Sequence, residues 1–478
     1  MKKNPKISIV TIVKNGMPYL EHALKSYYLQ KYKNKELIVV YSNSYDKTFK
    51  VLKSCNFISK LIIDNSSRNL YGSLNKGIQN TTGKIIGILH ADDIFYDDKV
   101  LNKVAAVYEK TNFKIAYGSI AIVSKHNVRK IIRYWKSTIF SENKFKAGWM
   151  PPHTSLFISD DLKKIKYSTN YQISSDYDYI IKIFKKKNKI ELLNFDVTIM
   201  RTGGLSNKKL LLKLIEDIKI TKKNFNFPII IYIIKILRKI NQLYYYNDFL
   251  KNNDYLKKFY QSKYNFFTNP NKVLYRKEII LSAYNMAYLS FVHNKVNFNK
   301  KNVFLWSDGI SSKVFKNKKK ISGRKILSKL KSSNNFKNVY LISKKEKLFH
   351  DYIKNKFKDK KVYFIEAPFG NEEYIIEKLR TKISNIKSKS LLILALPTPK
   401  QEYIAAEVSN ILEEYKIACI GGAINYNSKL IKIPPKFIEA YIESIWRLRE
   451  DTFRRLNRLI FSILIFVKRR LFNELSDI

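Results

Sequence analysis

The sequence has few of the residues that mark a disulfide scaffold, a collagen-like chain or a low-complexity segment. Only two cysteines, Cys55 and Cys419, occur among 478 residues, and they lie far apart, which excludes a disulfide framework and a cysteine-rich zinc site. The 14 glycines and 11 prolines are too few for collagen-like or low-complexity material. We therefore expect a folded protein of a reducing compartment.

Long hydrophobic runs are absent as well. The two most apolar segments, Pro228–Leu237 and Leu459–Val467, are shorter than the roughly 20 residues that cross a bilayer. The first segment of the chain, Met1–Val13, lacks the apolar core of a secretory signal. We therefore expect a cytoplasmic protein that can lie on the inner face of the cell membrane without crossing it.

Acidic residues are scarce beside basic ones, with 39 Asp+Glu against 90 Lys+Arg and a formal net charge of +51. Lysine is spread over the whole chain, as on a solvated surface, and nucleic acid or an anionic membrane is the alternative explanation. No helix-turn-helix, zinc-finger or RNP-type motif occurs, which argues against nucleic acid. Arginine is more informative than lysine, because 7 of the arginines lie between Arg447 and Arg470.

Strand-like and helix-like segments alternate over the first 100 residues. The predicted strands are continuous apolar runs, and such strands with helices between them indicate an α/β fold whose parallel sheet is covered on both faces. Ligands bind such sheets beyond the carboxyl ends of the strands, where the polar turns Ser42–Asp46 and His90–Asp93 are expected. The predicted strands are Lys6–Val13, Glu36–Tyr41, Lys60–Asp64 and Lys84–Leu89.

A helical segment and a second α/β region follow. Residues 208–264 are rich in Lys, Ile, Leu and Tyr and contain no glycine, and a turn-forming segment at Thr268–Lys272 ends this connector. We expect an α/β domain at 1–207, a helical connector at 208–270, a second α/β domain at 271–458 and a basic amphipathic tail at 459–478. The predicted strands of the second domain are Val303–Leu305, Val339–Ile342, Val362–Ile365, Leu391–Leu396 and Ile417–Ile420.

Two acidic clusters stand out in the first domain. Asp92 and Asp93 follow a predicted strand, where adjacent carboxylates can hold a divalent cation that bridges a diphosphate; a solvated acidic turn is the alternative. Asp176 opens an apolar helix, either as its N-cap or as a general base beside a polar pocket.

The joint pattern is more specific than either cluster. KISIVTIV, ELIVVYSNSYDKT, LNKGIQNTTGKIIGILHADD and SSDYDYIIKIF, in this order, resemble the family 2 glycosyltransferases with the GT-A (Rossmann-like nucleotide-diphospho-sugar transferase) fold over residues 5–205. The resemblance implies an inverting, metal-dependent transferase with Asp176 as catalytic base, Mg²⁺ or Mn²⁺ at Asp92 and Asp93, a nucleotide-side role for Asp46 and an acceptor-side role for His153. Two positions depart from the family pattern. The family often has an acid at the start of the nucleotide turn, where this chain has Tyr41-Ser42, and frequently has Asp or Asn at the position of His90.

The second domain carries another ordered set of motifs. Each motif alone is typical of a turn or a helix start. Together they resemble the WecG/TagA/CpsF glycosyltransferases over residues 275–460; the motifs are Asn285, Asp308-Gly309, Ser322-Gly323-Arg324, Pro399-Lys400-Gln401-Glu402, Gly421-Gly422-Ala423 and Glu443…Trp446-Arg447-Leu448. The resemblance implies an α/β fold unrelated to GT-A and metal-free transfer of an N-acetylmannosamine-type sugar from a UDP donor to a polyprenyl-diphosphate-linked acceptor.

Residue roles follow from this second resemblance. It implies that Asp308 is the catalytic base and that Asn285 lines the pocket. Pro397, Asn425 and Ser444 depart from the family pattern, which leaves the donor sugar open. The residues expected around the nucleotide sugar are Lys400, Gln401, Glu402, Gly421 and Gly422. Those expected at the lipid diphosphate, which guanidinium groups bind bidentately, are Arg447, Arg454 and Arg455.

The sequence therefore predicts a bifunctional glycosyltransferase acting on a precursor of a bacterial surface polysaccharide of the cell envelope. Its expected partners are nucleotide-sugar donors, a lipid-linked glycan acceptor and an anionic membrane surface. One alternative is that a single half is active and the other is a membrane-docking or scaffold module; a basic nucleic-acid-binding protein is the remote one. Segment Arg454–Arg470, apolar between basic ends, is either an ordinary packed helix or a helix lying in the headgroup layer.

Overall fold

A computed structural model describes residues 4–67, 69–186, 189–203, 209–225, 255–259, 265–293, 300–308, 321–431 and 460–467, with a few single residues between these ranges. The chain divides into two compact units, residues 1–260 and 261–478. The division falls within the segment that the sequence predicts as a connector. Of that segment, residues 210–224 are described as a helix.

Unit 1 is built on a nine-stranded mixed sheet. Its strand order is β3-β2-β1-β4-β8-β6-β9-β5, and β7 pairs with β6. The bounds are Ile7–Val13 (β1), Lys35–Tyr41 (β2), Lys60–Ile63 (β3), Ile85–Ile88 (β4), Ile94–Phe95 (β5), Ile115–Ser124 (β6), Asn127–Trp135 (β7), Leu156–Ser159 (β8) and Ile190–Arg201 (β9). The four predicted strands are confirmed and pair in parallel, whereas β8 runs antiparallel to β4 and β6, so the whole sheet is mixed.

Apolar side chains cover both faces of this sheet. Successive residues of a strand point to opposite faces, and Ile9 and Val10 of β1 accordingly belong to two different core clusters. The fold class predicted from the sequence, an α/β domain of the GT-A type, is confirmed. The helices are Leu20–Tyr28 (α1), Thr48–Lys53 (α2), Leu70–Gln79 (α3), Val100–Thr111 (α4), Glu142–Lys146 (α5), Ser175–Phe184 (α6) and Leu210–Asn224 (α7).

Unit 2 contains a seven-stranded, entirely parallel sheet of order β10-β12-β11-β16-β15-β13-β14. The bounds are Asn265–Phe266 (β10), Glu278–Tyr284 (β11), Val303–Ser307 (β12), Asn338–Ser343 (β13), Lys361–Glu366 (β14), Ser390–Leu394 (β15) and Tyr415–Cys419 (β16). The five predicted strands are confirmed, but the central strand β11 is not among them. Its apolar run, Ile279–Leu281, is too short to stand out from the polar residues around it.

Helices cover both faces of the second sheet, as in other α/β domains. Residues 460–467 are also helical, and Ser290 Oγ donates to the carbonyl oxygen of Ser462 at 2.8 Å. Within the described ranges, no helix is both long enough and apolar enough to span a membrane. The helices are Met286–Phe291 (α8), Gly323–Lys329 (α9), Lys347–Lys356 (α10), Glu372–Ser384 (α11), Lys400–Ile411 (α12) and Ala423–Asn427 (α13).

Candidate active sites

The acidic turn of unit 1 follows the central strand β4. The Asp93 N–H donates to the carbonyl oxygen of His90 at 3.1 Å, which closes the turn. Asp93 is 1% exposed; its Oδ1 accepts the backbone N–H of Arg201 at 3.1 Å, and its Oδ2 is buried without a hydrogen-bond partner among the described residues. Burial and the neighbouring Asp92 hold the pKa of Asp93 well above its usual range, against the opposing effect of Arg201.

The first turn of α6 brings Asp176 to the same region. The Asp176 carboxylate accepts the N–H of Tyr177 at 2.9 Å. Burial lowers the pKa of the His90 imidazole, while the charges of both Asp92 and Asp176 oppose that shift, so His90 is within electrostatic range of both carboxylates. The fold thus places the predicted base near the acidic turn, although the two are more than 80 residues apart in sequence.

His153 belongs to the same cluster. Its ring centroid lies 5.8 Å from that of His90, and its Nε2 is 2.7 Å from the hydroxyl oxygen of Tyr167. Burial, with a further contribution from His90, lowers the pKa of His153 to about 3, so the ring is neutral near pH 7. The neutral imidazole has one donor and one acceptor nitrogen, and the hydrogen bond with the Tyr167 hydroxyl engages Nε2.

The acidic turn suits a cation that also binds a substrate. The described residues contain no group of three or more His, Cys, Asp or Glu side chains that could enclose a metal ion. Mg²⁺ usually takes one or two carboxylates from the protein and its other ligands from phosphates and water. The buried, unpartnered Oδ2 of Asp93 and the adjacent Asp92 fit that pattern. His90 offers a nitrogen donor, which Mn²⁺ tolerates better than Mg²⁺ does.

Asp46 serves a local purpose in the structure. Its Oδ1 accepts the N–H of Thr48 at 3.0 Å, and its Oδ2 accepts the N–H of Met17, also at 3.0 Å. The carboxylate thereby joins the turn after β2 to the loop after β1, both at the carboxyl edge of the sheet. Its predicted role at the nucleotide remains a prediction, and the shape of these two loops depends on it.

Two further polar residues, Asp64 and Arg201, were not identified as candidate site residues from the sequence. Asp64 directly follows β3, so the rule that selects strand ends could have found it. The Arg201 guanidinium lies 2.8 Å from Nδ1 of His22 and 4.8 Å from the ring centroid of Tyr19. Arg201 is the last residue of β9, and no strand beyond residue 100 was predicted in this domain, so nothing in the sequence pointed to it.

In unit 2, the predicted residues follow four neighbouring strands. Asp308 follows β12, Asn285 follows β11, Gly421 follows β16, and Lys400 opens α12 after β15. These strands are consecutive in the sheet order β12-β11-β16-β15 and run parallel, so their carboxyl ends share one edge. Connections diverge between β15 and β13, because β15 leads to β16 on one side and β13 leads to β14 on the other, and ligands usually bind near such a point in these folds. Lys400 follows β15 at this point.

Two of these residues are tied to the edge by hydrogen bonds. The Asp308 N–H donates to the carbonyl oxygen of Tyr284 at 3.2 Å. The Asn285 side chain accepts the N–H of Tyr288 at 3.0 Å and caps α8. Asn285 therefore has a structural use besides its predicted place in the pocket.

The segment Lys400–Glu402 divides into an outer and an inner part. Lys400 Nζ donates to the carbonyl oxygen of Gly370 and lies 5.6 Å from the ring centroid of the exposed Phe369. Gln401 and Glu402 are 2% and 1% exposed, and their hydrogen bonds run within the protein. Their predicted role at the nucleotide sugar therefore requires action through other groups.

Part of the second predicted site lies outside the described residues. This applies to Gly309, to the Glu443–Leu448 motif and to the predicted lipid-diphosphate ligands, Arg447, Arg454 and Arg455.

Two family models match the chain. Residues 8–165 match "Glycosyl transferase family 2", and residues 310–477 match "Glycosyl transferase WecG/TagA/CpsF family". The first match contains Asp46, Asp92, Asp93 and His153, but it ends before Asp176. The second begins just after Asp308, so the roles of Asp176, Asn285 and Asp308 depend on their positions in the fold.

Curated relatives cover parts of the chain. A Rickettsia bellii protein named as an uncharacterized glycosyltransferase is 29% identical over 192 residues, which is 38% of this chain and 28% of that protein. An uncharacterized glycosyltransferase of Rickettsia typhi is 36% identical over 108 residues, 22% of this chain and 33% of its own. A Mycobacterium tuberculosis relative with the same description is 28% identical over 189 residues, 38% of this chain and 70% of its own. The chain spans a third or less of the length of each of the rickettsial relatives that it matches.

Solved structures are similar over less than half of the chain. S. aureus TarS (residues 1–349) in complex with UDP-GlcNAc has a TM-score of 0.36 and 15% identity, covering 42% of this chain and 59% of TarS. A Pyrobaculum calidifontis mannosyltransferase in complex with GDP-Man and Mn²⁺ has a TM-score of 0.36 and 16% identity, covering 48% and 68%. With the two family matches on its two units, the chain combines a family 2 glycosyltransferase domain and a WecG/TagA/CpsF-family glycosyltransferase domain.

Proposed function

We propose that this chain is a bifunctional glycosyltransferase that adds two sugars from nucleotide-sugar donors to a precursor of a bacterial surface polysaccharide. Two glycosyltransferase-family matches lie on two separate units, and each unit has its own carboxylates at the carboxyl edge of its own sheet. The observation that carries the proposal is that Asp92 and Asp176 are both within electrostatic range of the His90 ring, which lies 5.8 Å from the ring of His153.

In unit 1, Asp176 is the general base. Its carboxylate takes the proton of an acceptor hydroxyl while that oxygen attacks the anomeric carbon of the donor sugar. The bond between the anomeric carbon and the diphosphate oxygen breaks, the configuration inverts, and the nucleoside diphosphate leaves. When bound at Asp92 and Asp93, a divalent cation (Mg²⁺ or Mn²⁺) supplies positive charge to the diphosphate. His153 and Tyr167 form the acceptor side of this site.

In unit 2, Asp308 is the base of a second, metal-free transfer. The donor is a UDP-sugar of the N-acetylmannosamine type, held by Lys400 and by the Gly421–Gly422 turn. The acceptor is a sugar on a polyprenyl diphosphate, and Arg447, Arg454 and Arg455 bind its phosphates. Four strand ends that share one edge support this assignment.

A lipid-linked acceptor calls for a position at the membrane. The helix at residues 460–467 buries Ser462 and packs Phe466 against the core of unit 2. Its other side exposes large apolar residues, which are Ile460, Phe461, Ile463, Leu464 and Val467. An apolar helix face flanked in sequence by arginines supports peripheral binding to the anionic inner surface of the cell membrane.

Two base variants of the full-length protein test the proposal. The substrates are UDP-, GDP- and CMP-sugars with a polyprenyl-diphosphate-linked sugar as acceptor, and products are followed by nucleotide release and mass spectrometry. Asp176→Asn should remove one addition and leave the other, and Asp308→Asn should do the reverse. Asp160→Asn and Glu407→Gln, at exposed or half-buried ion pairs, serve as controls in the two units.

The outcomes separate the alternatives. If neither base variant changes the product, the proposal is wrong. If only Asp176→Asn abolishes transfer, unit 2 acts as a docking or scaffold module and the protein has one activity.

A further inference from the structure

A continuous hydrogen-bond network underlies the candidate site of unit 2. Glu402 Oε1 accepts from Ser282 Oγ at 3.0 Å, from Gln401 Nε2 at 2.9 Å and from Thr398 Oγ1 at 3.2 Å. The other end of the Gln401 amide, Oε1, accepts the backbone N–H of Gly421 at 2.8 Å. The network therefore links the strand β11 to the segments that follow β15 and β16.

The end of this network is a turn that only glycine adopts readily. Gly421 has a φ of +53°, in the left-handed region that other residues seldom occupy. The Gly421 N–H is held by the Gln401 amide, and the orientation of that amide is fixed in turn by Glu402. Because Gln401 and Glu402 are buried, a ligand at the edge of the sheet meets the turn rather than either side chain.

Glu402 is an unusual residue to bury at this position. Its Oε2 has no hydrogen-bond partner among the described residues. Burial raises the pKa of the Glu402 carboxyl above its ordinary value, despite the hydrogen bonds from Gln401, Ser282 and Thr398, which favours the uncharged form. An uncharged acid at this place can be imitated by glutamine but not by alanine, because only glutamine keeps a carbonyl oxygen at the Oε1 position.

We infer that Glu402 is a positioning residue for the nucleotide donor of unit 2, which it serves by fixing the Gln401 amide and, through it, the Gly421–Gly422 turn. This inference rests on the proposed function of unit 2. It replaces the direct contact with the sugar that the motif resemblance implied. Glu402 touches no substrate; it sets the backbone geometry that the donor's diphosphate meets.

The test uses the full-length protein in an Asp176→Asn background with EDTA present, so that turnover comes from unit 2 and cation-dependent nucleotide binding by unit 1 is suppressed. Glu402→Ala should raise the KM for UDP-N-acetylmannosamine and the Kd for UDP by about tenfold, because a buried amide loses its orienting partner. Glu402→Gln should restore both constants to within about threefold of the parent. Glu407→Ala, on the same helix and outside the network, is the matched control and should leave them unchanged.

Stability is measured alongside, by thermal unfolding. If Glu402→Ala lowers the unfolding midpoint but leaves KM and the Kd for UDP unchanged in the folded fraction, Glu402 is only structural and the inference is wrong. If Glu402→Ala does not fold, Ser282→Ala removes one donor to the same oxygen and should raise the KM by a smaller factor; an unchanged KM there contradicts the inference. Failure of the parent protein to bind UDP would contradict the proposed function itself.

Discussion

Lys76 Nζ lies 3.0 Å from Oδ1 of Asp64, and this pair locks the start of the loop after β3 to the helix α3. Asp64 is 2% exposed, and Ser73 Oγ donates to its Oδ2 at 2.8 Å. Burial alone would raise the pKa of Asp64, but hydrogen bonds from Ser67, Ser73, Lys76 and Ser66 outweigh it and hold that pKa well below its ordinary value.

We expect Asp64→Asn to destabilise unit 1. The amide leaves at least one buried donor without a charged acceptor, which costs about 2 kcal/mol of the free energy of unfolding. Urea unfolding monitored by circular dichroism measures the change. Asp160→Asn removes an exposed ion pair with Lys84 and should change the same quantity by less than about 0.5 kcal/mol. Equal losses in the two variants would contradict the prediction that the buried hydrogen bonds of Asp64 stabilise unit 1 more than an exposed ion pair does.

Glu36 predicts how unit 1 responds to acid. Burial alone would raise its pKa, but hydrogen bonds from Lys6, Ser8 and Thr82 outweigh burial and lower it to about 2. Because the pKa is lower in the folded state, the ionised carboxylate stabilises the fold above about pH 4.5, and this contribution is lost as the pH falls toward 2. Glu36→Gln should flatten the acid limb of stability between these pH values.

The check on Glu36 is a series of urea titrations from pH 2 to pH 6. Glu109→Gln, at another acid of unit 1 for which no such set of donors exists in the described structure, should retain the acid limb of the parent protein. A parent protein whose stability is constant over this range would contradict the prediction.

The acidic turn predicts where the cation binds. Asp92→Asn and Asp93→Asn should each weaken Mn²⁺ binding by about tenfold or more, because each removes a negative oxygen donor from a site with few protein ligands. Electron paramagnetic resonance of free Mn²⁺ measures this directly, and Asp160→Asn should leave the affinity unchanged. EDTA should stop the transfer that depends on Asp176 and spare the one that depends on Asp308; loss of both would contradict a metal-free second site.

The contact between Tyr167 and His153 predicts an effect on the acceptor. Tyr167→Phe removes the hydroxyl 2.7 Å from Nε2 of His153 and frees that ring to rotate. We expect the KM for the acceptor to rise several-fold while the KM for the donor stays unchanged, as measured by initial-rate kinetics. Tyr28→Phe, an exposed tyrosine of the same unit, is the control. A rise confined to the KM for the donor would contradict the assignment of His153 to the acceptor side of the site.

Much of the fold follows from local sequence. A continuous β-branched run such as Lys6–Val13 is typical of a strand that is buried on both faces of a parallel sheet. The first four strands and their parallel pairing were therefore predictable from the sequence. The strands β5 to β9 were not predicted, because they are either very short, as LFIS in β8, or interrupted by glycine and polar residues, as IAYGSIAIVS in β6. Strand β11 was missed for a similar reason, and its place at the centre of the second sheet could not be seen without it.

The sequence by itself determined that two α/β domains are present, which strand ends carry carboxylates and glycines, and which two glycosyltransferase families the motifs resemble. It could not determine which of these side chains face a ligand. Only the tertiary structure decided that Asp176 joins the acidic turn around His90, that Asp46 holds two loops, and that Glu402 is buried beneath its site. The reason is physical: hydrogen-bond partners and burial depend on residues distant in sequence, whereas motifs record only residue type and order.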